Sequence, residues 1–135
     1  TMLGSAGLDD EWIRSLEQLH VERDTAGHPR VFTTMAAGDG LAPIGARLAG
    51  RLQPNPRAVL PGGTGIAGAH VFDSGGRGRL LATDGHSVIG EGTRDPLGTH
   101  ASAGRGYLDA QTQSLRAVAA ISLGVTEQVP GGIGR

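Results

Sequence analysis

The sequence contains no cysteine and no lysine, and only four of its 135 residues are aromatic. Without cysteine the chain has no disulfide, no thiolate nucleophile and no cysteine-ligated zinc. With so few aromatic rings, its core must consist mainly of aliphatic side chains. No apolar run approaches membrane-spanning length, and no basic-then-apolar signal-peptide pattern opens the chain. We therefore expect no membrane partner.

Charge and glycine content narrow the expected partners. Twelve arginines and thirteen acidic residues give a net charge of −1, and the arginines are dispersed among the acids. A basic patch for nucleic acid is therefore not expected. The 24 glycines far exceed the roughly 7% of an average protein, and each one raises the entropic cost of folding. This composition predicts a protein stabilised by partners, either as a homo-oligomer or with other structural chains.

The N-terminal region predicts one amphipathic helix over residues 8–22. Leu8, Trp12, Leu16 and Leu19 recur at helical spacing, with charged residues on the other faces. Trp12 is the only tryptophan. Two roles stay open for the apolar stripe of Trp12 and Leu16: packing on the domain's own sheet, or docking on a neighbouring chain, where tryptophan is a favoured anchor.

The remainder of the sequence predicts a single domain over residues 1–135 that is mainly β or α+β. Residues 30–36 are expected to form a strand, and residues 41–52 are ambiguous between helix and strand. Short apolar runs separated by Gly-Gly and Asp-Gly turns predict an antiparallel meander over residues 57–90, as part of a sandwich or barrel. Residues 108–123 predict a helix, or a helix followed by a strand.

Both chain ends are expected to be flexible arms, at residues 1–7 and 129–135. The C-terminal arm contains glycines and a proline, which disfavour a helix. We expect another chain to hold it extended, with Val129 and Ile133 in apolar pockets and Arg135 in an ion pair. Folding back onto its own domain is the alternative.

No motif predicts a catalytic, cofactor or metal site. Residues 63–68, GTGIAG, match the turn of dinucleotide-binding folds, and Asp84 lies near the ribose-binding spacing. A nucleotide-binding fragment is therefore one alternative function, although too little chain follows for the remaining βα units. Ser74 lacks the GxSxG context of hydrolases, Thr1 lacks supporting motifs, and the five histidines form no metal-binding pattern. We expect no cofactor and, on balance, no enzyme activity.

Residues 66–92 carry the strongest family resemblance. The residues concerned are Ala67-Gly68-Ala69, Val71, Asp73, Gly78-Arg79, Leu81-Ala82-Thr83 and Val88-Ile89-Gly90. This run resembles the small β-rich decoration and accessory capsid proteins of tailed bacteriophages. The resemblance implies a virion component that acts through protein contacts without catalysis. Outside a virion, we expect the protein in the cytoplasm.

A second resemblance lies in residues 88–118. Val88-Ile-Gly-Glu-Gly and Asp109-Ala-Gln-Thr-Gln-Ser-Leu are similar to a turn and first helix of the RidA (reactive imine deaminase) family. This likeness implies, as the alternative function, a small trimeric enzyme.

Overall fold

Two sheets, one mixed and one parallel, and two helices make up the fold in the computed structural model, which describes residues 1–90 and 104–134. The elements in chain order are β1 (Met2–Leu3), β2 (Phe32–Thr34), α1 (Leu41–Leu48), β3 (Leu52–Gln53), β4 (Thr64–Gly65), β5 (His70–Phe72), α2 (Gln113–Ser122) and β6 (Ile133–Gly134). Single 3-10 turns lie at Leu16–Gln18, Pro56–Ala58 and Thr126–Gln128. The fold is thus a mixture of helix and sheet, consistent with the α+β prediction.

The larger sheet has the strand order β1-β2-β5-β6. The pairs β1–β2 and β2–β5 are parallel, and only β6 runs antiparallel, beside β5. Strands β3 and β4 form a separate parallel pair. Both sheets are open, so the expected antiparallel sandwich or barrel is not what the described residues form. No helix in these ranges is long and apolar enough to cross a bilayer.

The larger sheet buries apolar side chains on both faces. One cluster joins Phe32 and Phe72 to Ala117 and Ala120 of α2, with Leu3 packed against it. The other joins Val31 and Ala69 to Leu16, with Met2 packed against it. Because successive residues of a strand point to opposite faces, Met2 and Leu3, like Val31 and Phe32, divide between the two clusters. Helix α2 therefore covers one face and the segment around Leu16 covers the other.

The predicted helix over residues 8–22 is wrong. Leu8 forms an isolated bridge with Leu52, through N–H to carbonyl hydrogen bonds of 2.7 and 2.8 Å. The Asp9 carboxylate then accepts the Glu11 N–H at 3.0 Å, and Ser15 with Gln18 forms a capping box on the 3-10 turn. Local side-chain bonds of this kind compete with helical hydrogen bonds. The apolar spacing thus places Leu16 on the sheet without a continuous helix.

The predicted meander over residues 57–90 is also wrong. Its only strands, β4 and β5, lie in different sheets. Residues 73–90 pair elsewhere: the Leu81 N–H donates to the Gln111 carbonyl at 2.8 Å, and the Asp84 N–H donates to the Arg105 carbonyl at 3.0 Å. The chain bends at Gly75 and Gly85, where the Gly-Gly and Asp-Gly pairs predicted hairpin turns. However, residues 105–113 supply backbone hydrogen-bond partners to this segment, so no meander forms.

Both segments whose structure the sequence left ambiguous contain a helix. Residues 41–52 form α1 and then β3, and residues 108–123 contain α2. Pro43 is accommodated because it stands in the first turn of α1, where a backbone N–H has no helical partner. Thr112 caps α2 by accepting the Leu115 N–H at 3.2 Å. The strand expected within residues 30–36 is confirmed as β2.

The chain ends are not free arms in the structure. Strand β1 pairs with β2 at one end, and β6 pairs with β5 at the other. Val129 is buried in the α2 cluster, and Ile133 packs against that cluster. The C-terminal segment therefore folds back onto its own domain, the alternative to docking on another chain, because its two apolar side chains complete the core beside Phe72.

We predict that Val129→Ala lowers the free energy of unfolding by about 1–3 kcal/mol, because it removes buried methyl groups and leaves a cavity. Chemical denaturation followed by circular dichroism measures the change. Val88→Ala is the matched control: Val88 is exposed, and a change within about 0.5 kcal/mol is expected there. Equal effects at the two positions would contradict the assignment of Val129 to the core.

Candidate functional site

Asp39, a buried carboxylate just before α1, is the centre of a hydrogen-bond network that joins four segments of the chain. Its Oδ1 accepts the Ala42 N–H at 3.1 Å, and its Oδ2 accepts the Tyr107 hydroxyl at 2.8 Å. The His86 Nδ1 lies 2.9 Å from Oδ1 and 3.1 Å from Oδ2. The Tyr107 hydroxyl in turn accepts the Ala36 N–H at 2.8 Å. The network therefore links the end of β2, the first turn of α1 and two distant loops.

Tyr107 is held by hydrogen bonds at both its side-chain hydroxyl and its backbone carbonyl. Its ring is fully buried, and its carbonyl accepts the Ser114 hydroxyl at 2.6 Å and the Thr112 hydroxyl at 3.3 Å. Burial, with the neighbouring Asp39 carboxylate, raises the pKa of the Tyr107 phenol above its ordinary value, although the Ala36 hydrogen bond opposes this. The phenol therefore stays protonated and serves Asp39 as a neutral donor.

His86 is the only part of this network that reaches solvent, with 41% of its side chain exposed. A carboxylate that holds one imidazole nitrogen is an arrangement that orients a general base. Among residues 1–90 and 104–134, however, no hydroxyl forms a hydrogen bond with the His86 ring. Among the described residues, the contacts of this pair hold the His86 loop to the carboxylate that also binds the first turn of α1.

The GTGIAG turn does not have the surroundings of a dinucleotide site. Thr64 and Gly65 form β4, exposed beside β3, and the chain proceeds through Gly68 to β5 without a helix. A phosphate-binding turn needs the N-terminus of such a helix. Asp84, the candidate ribose ligand, instead pairs with Arg105, at 3.2 Å from Oδ2 to Nη2.

The other candidate chemical residues lie apart. Ser74 is buried, and Thr1 is exposed at the chain terminus. No group of three or more metal-ligating side chains forms within the part of the chain that the structure describes. His100 lies outside the described residues.

The sequence-derived interface residues divide into buried and exposed sets. Leu16 and Val129 are buried in the two core clusters, with Ile133 against the second. Trp12 is 76% exposed and is, among the candidates that the structure describes, the one with a largely exposed side chain. Arg135 lies outside the described residues.

The sequence did not identify the exposed apolar face of α1. Leu41, Ile44 and Leu48 follow i, i+3, i+7 spacing and are 40%, 49% and 82% exposed. The inward face of the same helix carries only small residues, Ala42, Pro43 and Ala46. Helical spacing from Ile44 to Leu48 was visible in the sequence, but spacing alone does not say which face of a helix turns outward.

We predict that Gly4→Ala is much more destabilising than Gly50→Ala. Both glycines have left-handed backbones, with φ of +52° and +65°, so each substitution incurs roughly 1–2 kcal/mol of backbone strain. Only at Gly4 would the new Cβ meet the Asp39 carboxylate, 2.4 Å from Oδ2; at Gly50 it meets open space. Disruption of the buried network should add about 3 kcal/mol, measured by denaturant unfolding. Similar losses in both variants would show that the network contributes little.

We also predict that the phenol resists alkaline ionisation in the folded protein. Tyr107 is the only tyrosine, so phenolate absorbance reports this group alone. In denaturant it should titrate near its ordinary pKa of about 10, and in the native state only at higher pH. The native state then holds the proton more tightly, so the free energy of unfolding is undiminished below about pH 10 and falls as the pH rises above it. Coincident native and denatured titrations would contradict this.

Comparisons of the chain with protein-family models, with curated proteins and with solved structures found no match. The function is therefore inferred from the chain's own residues and their contacts.

Proposed function

We propose that this protein is a structural protein that assembles through contacts between its own copies, without catalysis. The observation that carries the proposal is the exposed apolar face of α1. A contiguous apolar surface on a small domain commonly marks an interaction site. Here the large side chains of the helix point away from the domain that they would otherwise stabilise.

The orientation of α1 is the reverse of that in a helix that covers a core. Core-facing helices place their large apolar residues inward and polar residues outward. Helix α1 contacts its domain through Ala42 and Ala46 and presents Leu41, Ile44 and Leu48 to solvent. Three anchors at i, i+3 and i+7 are the pattern by which a helix binds an apolar protein surface.

Charge favours a second copy of this chain as the partner. Residues 40–72, which include α1, contain three arginines and no acidic residue. Residues 9–24 contain six acidic residues and two arginines. One chain therefore carries a basic region around the apolar helix and an acidic region elsewhere, so a second copy offers complementary charge.

The specific setting that we propose is a virion, as a capsid decoration or accessory component. Its support is the resemblance of residues 66–92 to such phage proteins, together with a glycine-rich composition that benefits from assembly. The proposal of self-association does not depend on this setting.

We predict that Leu48→Gln weakens self-association at least about tenfold, or about 1.4 kcal/mol, without lowering the thermal midpoint of the dilute protein. Sedimentation velocity over a concentration series measures the association. Leu123→Gln is a matched control, because Leu123 is 77% exposed and also lies at the C-terminal end of a helix, α2. It should associate like the natural sequence.

Two results would overturn the proposal. One is a protein that stays monomeric at high concentration. The other is equal weakening by Leu48→Gln and Leu123→Gln, which would show a general response to lost surface hydrophobicity and no specific role for α1.

A further inference from the structure

We infer that the surface that receives α1 is the Trp12 segment of a second copy, residues 9–14, in a reciprocal two-fold contact. This pairing rests on the self-association proposed above and names the two surfaces that meet. Trp12 of each protomer would pack on the α1 face of the other, with acidic side chains of the segment facing arginines beside α1.

The α1 face by itself is too small for a stable dimer. A standard interface buries roughly 800 Å² on each partner, far more than three aliphatic side chains offer. An aromatic side chain buries about 150–250 Å², and tryptophan is among the residues that dominate binding energy. Trp12 is 76% exposed and Leu48 is 82% exposed, so within one chain neither covers the other.

Unpaired charges of opposite sign surround these two apolar surfaces. Around Trp12, the carboxylates of Asp9, Asp10 and Glu11 form no ion pair within the described ranges, whereas Glu17 and Glu22 are paired with Arg23 and Arg30. Arg47 in the last turn of α1 and Arg51 just after the helix likewise have no acidic ion-pair partner among residues 1–90 and 104–134. A two-fold contact would bring the unpaired acids of one copy to the unpaired arginines of the other.

The backbone joins the two segments that carry these surfaces. The Leu8–Leu52 bridge fixes the start of the Trp12 segment next to β3, which follows α1 after a short turn. Asp10, Glu11 and Arg14 line one open surface hollow together with Leu52 of β3. In the proposed dimer one two-fold axis relates both contacts, and such closed dimers are the commonest soluble oligomers.

The fluorescence of Trp12 tests the pairing directly, because no other tryptophan contributes. Sedimentation velocity and emission are recorded over the same concentration series of the full chain. We expect the emission to shift to shorter wavelength in step with association, as the indole leaves water, and Leu48→Gln to abolish both changes at the same concentrations. Association without a shift would overturn the pairing while leaving self-association intact. No association at all would overturn the proposed function as well.

Reversing the charges on each of the two surfaces provides an independent second test of the pairing. Arg47→Glu/Arg51→Glu makes both surfaces acidic, and Asp10→Arg/Glu11→Arg makes both basic, so each variant alone should associate at least about tenfold more weakly. An equimolar mixture should form a heterodimer with near-natural affinity, because both contacts then join opposite charges. Undiminished association of Asp10→Arg/Glu11→Arg alone, or a mixture no tighter than its components, would overturn the pairing.

Discussion

The carboxylate of Asp39 has none of its side chain exposed to solvent, and a charge in that position requires close donors to replace water. The donors come from the first turn of α1, from the Tyr107 phenol and from the His86 ring. The most distant of these donors, Tyr107, lies 68 residues from Asp39 in the sequence. Satisfying one buried charge therefore fixes where α1 begins and where the loops carrying His86 and Tyr107 approach the sheet. Among the described glycines, Gly4 is the one at which an added Cβ would strike this carboxylate.

The direction in which α1 faces follows from that constraint. With its first turn held by Asp39, the helix lies on the domain through small residues: a Cβ at Gly45 would lie 3.3 Å from the Ala6 Cβ. Such close packing leaves no room for Leu41, Ile44 or Leu48 on the inner side. The larger side chains consequently form an outer apolar face, and the same buried charge that organises the fold presents the surface that we assign to assembly.

The proposed assembly would also compensate for a weakness of the composition. A glycine-rich chain loses much conformational entropy when it folds, and its core contains few large side chains. A partner that binds only the folded state stabilises that state by mass action. The exposed leucines of α1 would thus contribute to stability only in the assembled protein, whereas Phe32, Phe72 and Val129 act within each copy.

The sequence by itself determined the mainly aliphatic core, the absence of thiol chemistry, the strand at Phe32–Thr34, and Trp12 as a candidate contact residue, because these depend on composition or on local spacing. It did not determine the fate of residues 8–22, where helical spacing competed with Asp9 and Ser15 hydrogen bonds, or of residues 73–90, whose backbone partners lie beyond residue 104. Nor did it distinguish the buried Leu16 from the exposed Leu48, since both occur in helical patterns. Only the tertiary structure decided those points, because the partner of a backbone group or an apolar face comes from distant parts of the chain.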